Sequence, residues 1–237
     1  MTTAVLITGA SSGIGRATAE RLLRRPVFTV YATARRPETI EDLRAAGAKI
    51  LALDVTDETS MAAAVRAVEE QHGHVGVLIN NAGYGEYGTI EEAELDAVRR
   101  QFETNVFGFS RMIQLVLPGM RAAKAGRIIN IGSMGGRVTF PVGGYYHATK
   151  YAVEAITDAL RFETAPFGIH ASLIAPGLIR TGFGATAART LAASGKPAGP
   201  YAALRAAADE QMAASYASPV LAAEPDAVAS AVEHAAT

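Results

Sequence analysis

Cysteine and tryptophan are both absent from this sequence of 237 residues, and aromatic residues make up only 7% of it. Without cysteine the chain can form neither a disulfide nor a thiolate metal site. The 22 Lys and Arg residues nearly balance the 23 Asp and Glu residues and form no block of like charge. Because protein surfaces that bind nucleic acids are basic, we expect no nucleic-acid partner.

Long apolar runs are missing as well. No stretch is long enough to span a bilayer, and the residues after Met1 do not have the pattern of a secretory leader. We therefore expect a cytoplasmic protein without a membrane partner. The histidines are not grouped with carboxylates, so we also expect no metal site; they stand at positions 72, 74, 147, 170 and 234. His147 adjoins Tyr146, and we expect its side chain to point elsewhere on the helix.

Short apolar segments alternate with helix-like segments along most of the chain. The predicted strands cover residues 4–7, 27–33, 49–53, 75–79, 127–131 and 169–174, and the predicted helices cover 16–25, 58–71, 91–123, a segment from about 145 to 165, 201–217 and a last helix opened by Pro225. This alternation predicts a single-domain α/β protein over residues 1–237, with a Rossmann-like, doubly wound parallel sheet and helices on both faces. Ligands of such sheets bind at the carboxyl ends of the strands.

The pattern loosens after the sixth predicted strand. From Leu178 to Pro200 the sequence is rich in Gly, Ala and Thr, and it includes a cluster of breakers at 195–200. We interpret the segment from about 178 to 223 as a lid that closes over a substrate.

A glycine-rich loop, Thr8 to Gly15, lies between the first strand and the first helix. Its spacing is Gly-x-x-x-Gly-x-Gly. Glycines allow a tight turn and a close approach of the backbone, and the amides at the start of the next helix favour a pyrophosphate. The loop therefore predicts a dinucleotide site, although a flexible connection would also contain glycines.

Two arginines, Arg35 and Arg36, follow the second strand, where a dinucleotide fold recognises the adenosine ribose. An acidic residue at this place would favour NAD(H), whereas an arginine can pair with a 2′-phosphate. The pattern predicts NADP(H), with NAD(H) as the weaker alternative. A solvated basic patch would look the same in the sequence.

Tyr146 and Lys150 are four residues apart in a predicted helix, so they lie on one face of it. A cation near a phenol favours the phenolate and makes tyrosine a usable acid and base. An ordinary surface pair has the same spacing, so the pair alone does not decide the function.

Together these motifs resemble the short-chain dehydrogenase/reductase family between Val5 and Thr181. The family's Asn-Asn-Ala-Gly is present at 80–83, its catalytic asparagine as Asn105, and its serine as Ser133, thirteen residues before Tyr146; Pro176-Gly177 completes the set. Parts of the chain are most similar to the branch of 17β-hydroxysteroid dehydrogenase-like reductases, which implies NADP(H).

The resemblance implies a site residue by residue. The implied catalytic residues are Asn105, Ser133, Tyr146 and Lys150. The implied cofactor contacts are Gly9, Ser11, Ser12, Gly13, Ile14, Gly15, Arg35, Arg36, Asp54, Val55, Asn81, Ala82, Gly83, Tyr146, Lys150, Pro176, Gly177 and Thr181. The expected substrate contacts are Met134, Phe140, Val142, Phe183 and Tyr201.

Tyr146 would exchange a proton with the substrate oxygen, which Ser133 would hold. Lys150 would lower the tyrosine pKa and bond the nicotinamide ribose, and Asn105 would order a water between Lys150 and solvent. Read without the resemblance, Asn105 would be a solvent-facing residue of a helix.

The expected function is the NADP(H)-dependent interconversion of an apolar ketone, steroid-like or otherwise bulky, and its alcohol. An NADP(H)-binding sensor without turnover, and an epimerase or dehydratase, are the alternatives. The family's seventh strand has no counterpart before Thr237, so either the given chain is incomplete or the sheet stops at six strands. We expect a homodimer or homotetramer.

Overall fold

The computed structural model describes residues 2–237. Its strands are β1 (Thr3–Ile7), β2 (Phe28–Ala34), β3 (Lys49–Ala52), β4 (Val77–Asn80), β5 (Gly126–Ile131), β6 (Ile169–Ile174), β7 (Leu178–Ile179) and β8 (Ala222–Ala223). Its helices are α1 (Gly13–Leu22), α2 (Glu41–Ala45), α3 (Glu58–His72), α4 (Leu95–Phe102), α5 (Phe109–Ala123), α6 (Gly144–Thr164), α7 (Gly182–Ala193), α8 (Ala202–Ala217) and α9 (Pro225–Ala236).

The main sheet is entirely parallel and has the order β3-β2-β1-β4-β5-β6. Its central strands are continuous apolar runs, and all four residues of β4 are buried, as expected for a sheet that is covered on both faces. The strand order reverses between β1 and β4, and this switch point opens a crevice at the carboxyl edge of the sheet. The predicted doubly wound α/β fold is confirmed.

Two apolar layers hold the helices on the sheet. On one face α3, α5 and α6 bury residues such as Met61, Met112 and Val153. On the other face α1, α2 and α9 bury residues such as Leu22 and Val232. The apolar side chains of α3 recur every three or four residues, which is why this helix presents a single stripe to the sheet.

The helix predicted over residues 91–123 is interrupted. Helix α4 begins only at Leu95, and a π-helical segment, Glu103–Gly108, separates it from α5. The wider turn directs Asn105 inward, and this residue is 3% exposed rather than solvent-facing. Such local widenings are frequent at functional sites.

The segment after Leu178, where the sequence pattern loosens, contains helix α7. The hydroxyl of Thr181 accepts a hydrogen bond from the amide of Phe183 at 3.2 Å and caps the helix, and alanine-rich composition supports the turns that follow. Strands β7 and β8 pair with each other and not with the main sheet, so the main sheet of residues 2–237 has six strands.

No helix within residues 2–237 combines the length and the apolar character needed to cross a membrane. In the same part of the chain, no group of three or more His, Asp or Glu side chains could hold a metal ion.

Candidate active site

A cavity of about 1230 Å³ opens at the carboxyl edge of the main sheet, under α7 and α8. All but four of the predicted site residues line it. The exceptions are Gly15, Arg36, Asn105 and Tyr201. Residues that are far apart in sequence therefore meet in one place, because parallel strands deliver their carboxyl ends to the same edge.

The loop between β1 and α1 is shaped to receive a ligand against its backbone. Gly9 and Gly13 have φ values of 70° and 57°, which few residues other than glycine adopt. Gly15 lies just beneath the cavity wall, where a Cβ would overlap the carbonyl oxygen of Gly9. Ser12 precedes α1, yet its side chain makes no capping hydrogen bond, and the first turn has no acidic residue. The backbone amides at the start of α1 are therefore free to bind an anion.

The ends of β1 and β4 are bound to each other. The Thr8 hydroxyl accepts hydrogen bonds from the amides of Asn81 and Ala82, both at 3.0 Å. The Asn81 side-chain amide donates to the carbonyl oxygens of Thr8 at 3.0 Å and of Gly9 at 2.9 Å. This network fixes the glycine loop before any ligand binds.

The two arginines after β2 differ in position. Arg35 lines the cavity, whereas Arg36 does not. The Arg36 carbonyl oxygen accepts hydrogen bonds from the amide and the hydroxyl of Thr39. This turn opens the short 3₁₀ segment Pro37–Ile40, and it carries the Arg36 side chain out of the cavity wall.

Tyr146 and Lys150 lie on the cavity side of α6 and are only 7% and 9% exposed. The Lys150 ammonium donates to the carbonyl oxygen of Ile131, the last residue of β5, at 2.9 Å. Ser133 lies near enough to Tyr146 to lower the pKa of its phenol, and its hydroxyl accepts a hydrogen bond from the amide of Gly135 at 3.0 Å. The phenol, the hydroxyl and the ammonium thus form one polar group in an apolar wall.

Burial shifts the pKa values of the two titratable groups in opposite directions. It raises the pKa of the Tyr146 phenol to about 12, against a lowering by the nearby Ser133 hydroxyl, and it lowers the pKa of the Lys150 ammonium to about 8. The expected lowering of the tyrosine pKa by Lys150 is therefore not seen. The Lys150 ammonium donates its hydrogen bond to the Ile131 carbonyl oxygen and not to the phenol. Desolvation of the phenol is therefore the largest effect on its pKa.

Asn105 lies behind the cavity wall and connects three elements. Its side-chain oxygen accepts from the amide of Tyr84 at 3.1 Å, and its side-chain amide donates to the Tyr84 carbonyl at 2.8 Å and to the Thr149 hydroxyl at 3.2 Å. The asparagine thus joins the loop after β4 to α6, beside Lys150.

Aromatic side chains form the wall opposite the sheet. The rings of Tyr87 and Tyr146 are stacked, with centroids 5.7 Å apart and planes at 28°. The Phe183 ring lies 5.2 Å from that of Tyr146. Of the predicted substrate contacts Met134, Phe140, Val142 and Phe183 line the cavity. Tyr201 lies outside it, because its hydroxyl donates to Glu91 at 2.6 Å.

Several residues of the wall were not predicted. Tyr87 lies four residues after the Asn-Asn-Ala-Gly motif, and its position after β4 is a signal that could have found it. Tyr216 belongs to α8, an alanine-rich helix without a motif. His147 also lines the cavity, contrary to the expectation that it points elsewhere, because α6 packs this side of its first turns against the loop after β5.

Comparison with known proteins identifies the family. The model of the short chain dehydrogenase family matches residues 3–195. This chain belongs to the short-chain dehydrogenase/reductase family. The family resemblance of the sequence motifs is thereby confirmed.

Two curated relatives illustrate the range of the family. The chain is 44% identical over 180 residues to a 3-ketodihydrosphingosine reductase of Bacteroides thetaiotaomicron, covering 76% of this chain and 65% of that protein. It is 42% identical over 192 residues to human 17-beta-hydroxysteroid dehydrogenase type 1, covering 76% of this chain and 58% of that protein. The match therefore spans less than two thirds of the length of either relative.

Solved structures of the family cover nearly the whole chain. A polyketide ketoreductase of the actinorhodin system, solved with NADPH, has a TM-score of 0.83 and 31% identity, covering 100% of this chain and 90% of that one. A Burkholderia phymatum family member, solved with NAD, has a TM-score of 0.83 and 29% identity, covering 99% and 85%. Both neighbours bind a nicotinamide dinucleotide. The NADPH of the first carries a 2′-phosphate, which the NAD of the second lacks.

Proposed function

We propose that the protein is an NADP(H)-dependent oxidoreductase that interconverts an apolar, bulky ketone and the corresponding secondary alcohol. The observation that carries this proposal is the polar group of Ser133, Tyr146 and Lys150 in the wall of a cavity whose other end is the glycine loop.

Tyr146 acts as the general acid and base in this proposal. A phenol whose pKa is raised to about 12 is protonated at neutral pH, so it is ready to donate to a carbonyl oxygen, which favours reduction of a ketone. Ser133, which lines the same cavity, holds that oxygen in place. A bound nicotinamide supplies the hydride for the carbonyl carbon.

Lys150 and Asn105 support the proton donor. The buried ammonium of Lys150 loses its proton easily, because burial lowers its pKa to about 8, and it lies one turn from Tyr146. Asn105 reaches the same helix through Thr149 at 3.2 Å. A water between Lys150 and solvent, ordered by Asn105, stays part of this proposal.

The glycine loop fits a dinucleotide. A Cβ at Gly9 would crowd Ala82, and a Cβ at Gly15 would overlap the carbonyl oxygen of Gly9, so the loop keeps its shape only with glycines. The free amides at the start of α1 suit a pyrophosphate. Asp54 and Val55 lie along the same wall, at the adenine end of the proposed site. Arg35, the arginine that lines this end, supports the preference for NADP(H) because its guanidinium can pair with a 2′-phosphate.

The substrate part of the cavity is mainly aromatic and apolar. Phe140, Phe183, Tyr87 and Met212 contribute to its wall, and such a wall suits a bulky apolar ketone. The relatives named above are a reductase of a 3-keto sphingoid compound and a hydroxysteroid dehydrogenase, which supports the same substrate class.

Residues 178–223 act as the lid in this proposal. Helices α7 and α8 contribute Phe183 and Tyr216 to the cavity wall. An ion pair between Arg205 and Glu92, 10% and 13% exposed, ties the lid to the loop before α4. Arg205 also donates to the carbonyl oxygen of Lys196.

A second copy of the chain is the proposed partner. Phe107, Tyr151 and Phe162 are exposed on the π-helical segment and on α6, at 57%, 45% and 83%, and these two elements pack against each other. Exposed aromatic residues on neighbouring helices favour association, and we propose a homodimer or homotetramer. The cytoplasmic location stays a prediction from the sequence.

Oxidation of NADPH, beside NADH, tests the proposal with a panel of steroid ketones, long-chain ketones, aryl ketones and β-keto esters. The Tyr146→Phe variant is the control. We expect turnover with NADPH that is lost in the variant. Tight binding of NADPH without turnover of any ketone would contradict the proposal and favour an NADP(H)-binding sensor.

A further inference from the structure

The imidazole of His147 lies between α6 and the loop that joins Ser133 to α6. It is 3% exposed, although histidine is only intermediate among residues in its tendency to be buried. The loop, residues 133–143, contains Ser133 and three of the residues that line the substrate part of the cavity, Met134, Phe140 and Val142. The side chain next to Tyr146 in sequence thus packs against the segment that carries Ser133.

One hydrogen bond sets the tautomer of this imidazole. Its Nδ1 lies 3.1 Å from the carbonyl oxygen of Gly135. A carbonyl oxygen only accepts, so Nδ1 carries the proton. Burial lowers the pKa of His147, and no hydrogen-bond partner within residues 2–237 faces its Nε2. The ring is therefore neutral, with Nε2 unprotonated.

Gly135 connects His147 to Ser133 through two hydrogen bonds. Its carbonyl oxygen accepts from His147, and its amide donates to the Ser133 hydroxyl oxygen at 3.0 Å. Ser133 in turn lies beside Tyr146 in the cavity wall and lowers the pKa of its phenol. Because the amide of Gly135 occupies one lone pair of the serine oxygen, the orientation of Gly135 fixes where the serine hydroxyl points.

The loop leaves room for this ring and for little else. A Cβ at Gly135 would overlap Nδ1 of His147, and a Cβ at Gly143 would lie 2.7 Å from Nε2. Val142, beside the second glycine, has a φ of 59°, which is costly for a β-branched residue. The Phe140 ring completes the enclosure at 5.7 Å from the imidazole. Two glycines and a strained backbone thus accommodate one imidazole.

We propose that His147 is a positioning residue for the reaction: through Gly135 it holds the Ser133 hydroxyl in the orientation that binds the substrate oxygen beside Tyr146. This inference rests on the proposed carbonyl reduction. His147 itself touches the ring of Tyr146, with centroids 5.5 Å apart, but it exchanges no proton with the substrate.

Two substitutions separate this role from packing. In His147→Asn the side-chain amide can replace Nδ1 as the donor to Gly135, whereas His147→Leu keeps the bulk and loses the donor. We expect kcat to stay within about threefold for the Asn variant and to fall about tenfold or more for the Leu variant, the effect of one lost orienting hydrogen bond. The KM for NADPH should not change in either variant. An equal effect of the two substitutions on kcat would overturn the proposal.

A measurement without turnover accompanies this test. Nitrogen-15 NMR of histidine-labelled protein reports which ring nitrogen carries the proton. We expect the Nδ1–H neutral form of His147 at pH 7, and an Nε2–H form or an imidazolium would overturn the inference even if the Leu variant does not fold. Absence of ketone turnover by the unmodified enzyme contradicts the proposed function, whereas the wrong tautomer contradicts only the role of His147.

Discussion

The phenol ring of Tyr87 stacks on that of Tyr146, with centroids 5.7 Å apart and planes at 28°. Burial is the main cause that raises the pKa of Tyr87, with the nearby Tyr146 and Tyr216 adding to it. Tyr87 thus stays an uncharged part of the wall beside the proposed proton donor. Its ring position, rather than its ionisation, is the property available for substrate binding.

Removal of the Tyr87 ring should weaken substrate binding. A stacked aromatic pair contributes about 0.5–1.5 kcal/mol beyond its buried area. We expect Tyr87→Ala to raise the KM for an apolar ketone about two- to tenfold and to leave the KM for NADPH unchanged. Tyr87→Phe, the matched control, keeps the stack and should behave as the unmodified enzyme. A similar rise of KM in both variants would mean that the hydroxyl, and not the ring, binds the substrate.

The two neighbouring tyrosines of α6 should differ sharply. Tyr146 lines the cavity, whereas Tyr145, half-buried, does not. We expect Tyr146→Phe to lower kcat about a hundredfold or more, the usual contribution of a general acid, with the affinity for NADPH retained. Tyr145→Phe should stay within a few-fold. Steady-state kinetics and cofactor fluorescence measure the two quantities, and a comparable loss of turnover in both variants would contradict the assignment.

Arg35 and Arg36 offer a test of cofactor preference. Only Arg35 lines the cavity. Because a charge-assisted hydrogen bond contributes about 1.5–3 kcal/mol, we expect Arg35→Asp to raise the KM for NADPH about tenfold or more and to change the KM for NADH little. Arg36→Asp is the control and should change neither constant much. If the ratio of the two constants stays the same in Arg35→Asp, this arginine does not recognise the 2′-phosphate.

Burial of Lys150 should make the stability of the cofactor-free protein rise with pH. Its pKa is lowered from 10.5 to about 8, so between these values the unfolded chain binds a proton that the folded chain has released. The free energy of unfolding therefore increases as pH rises from about 8 towards 10.5, by up to about 3 kcal/mol.

The Lys150→Met variant checks this sign. Urea unfolding of the variant and of the unmodified protein between pH 7 and pH 9.5 should give a stability difference that shifts in favour of the unmodified protein as pH rises. Lys124→Met, at an exposed position, serves as the control and should show no such trend. A pH-independent difference for Lys150→Met would show that the lysine is not desolvated.

The anchoring of the lid should depend on Glu92 and not on its neighbour Glu91. Glu92 pairs with Arg205 where both side chains are largely buried, whereas Glu91 accepts from Tyr201 at an exposed site. Removing one partner of a buried ion pair costs about 3–5 kcal/mol, but an exposed contact contributes less than about 1 kcal/mol. We expect Glu92→Gln to speed hydrogen exchange in residues 194–205 and Glu91→Gln to leave it nearly unchanged. Equal exchange in both variants would contradict this anchoring of the lid.

The sequence by itself determined those features that depend on neighbours along the chain. Short apolar segments that alternate with helical segments predicted the parallel sheet. A strand that is buried on both faces of the sheet is a continuous apolar run, and this pattern is visible in the sequence. The glycine loop could be located because each of its turns needs a local backbone conformation, as the φ of Gly9 shows. Tyr146 and Lys150 were found because a four-residue spacing fixes one helix face.

Only the tertiary structure decided which side chains meet across the cavity. Tyr87 and Tyr216 come from different parts of the chain, and no local pattern joins them to Tyr146. Asn105 faces inward because a π-helical turn breaks the regular spacing that predicted a solvent position. His147 lies against Gly135 because the loop after β5 folds back onto α6. Such contacts depend on packing between distant segments, which the spacing of residues along the chain does not specify.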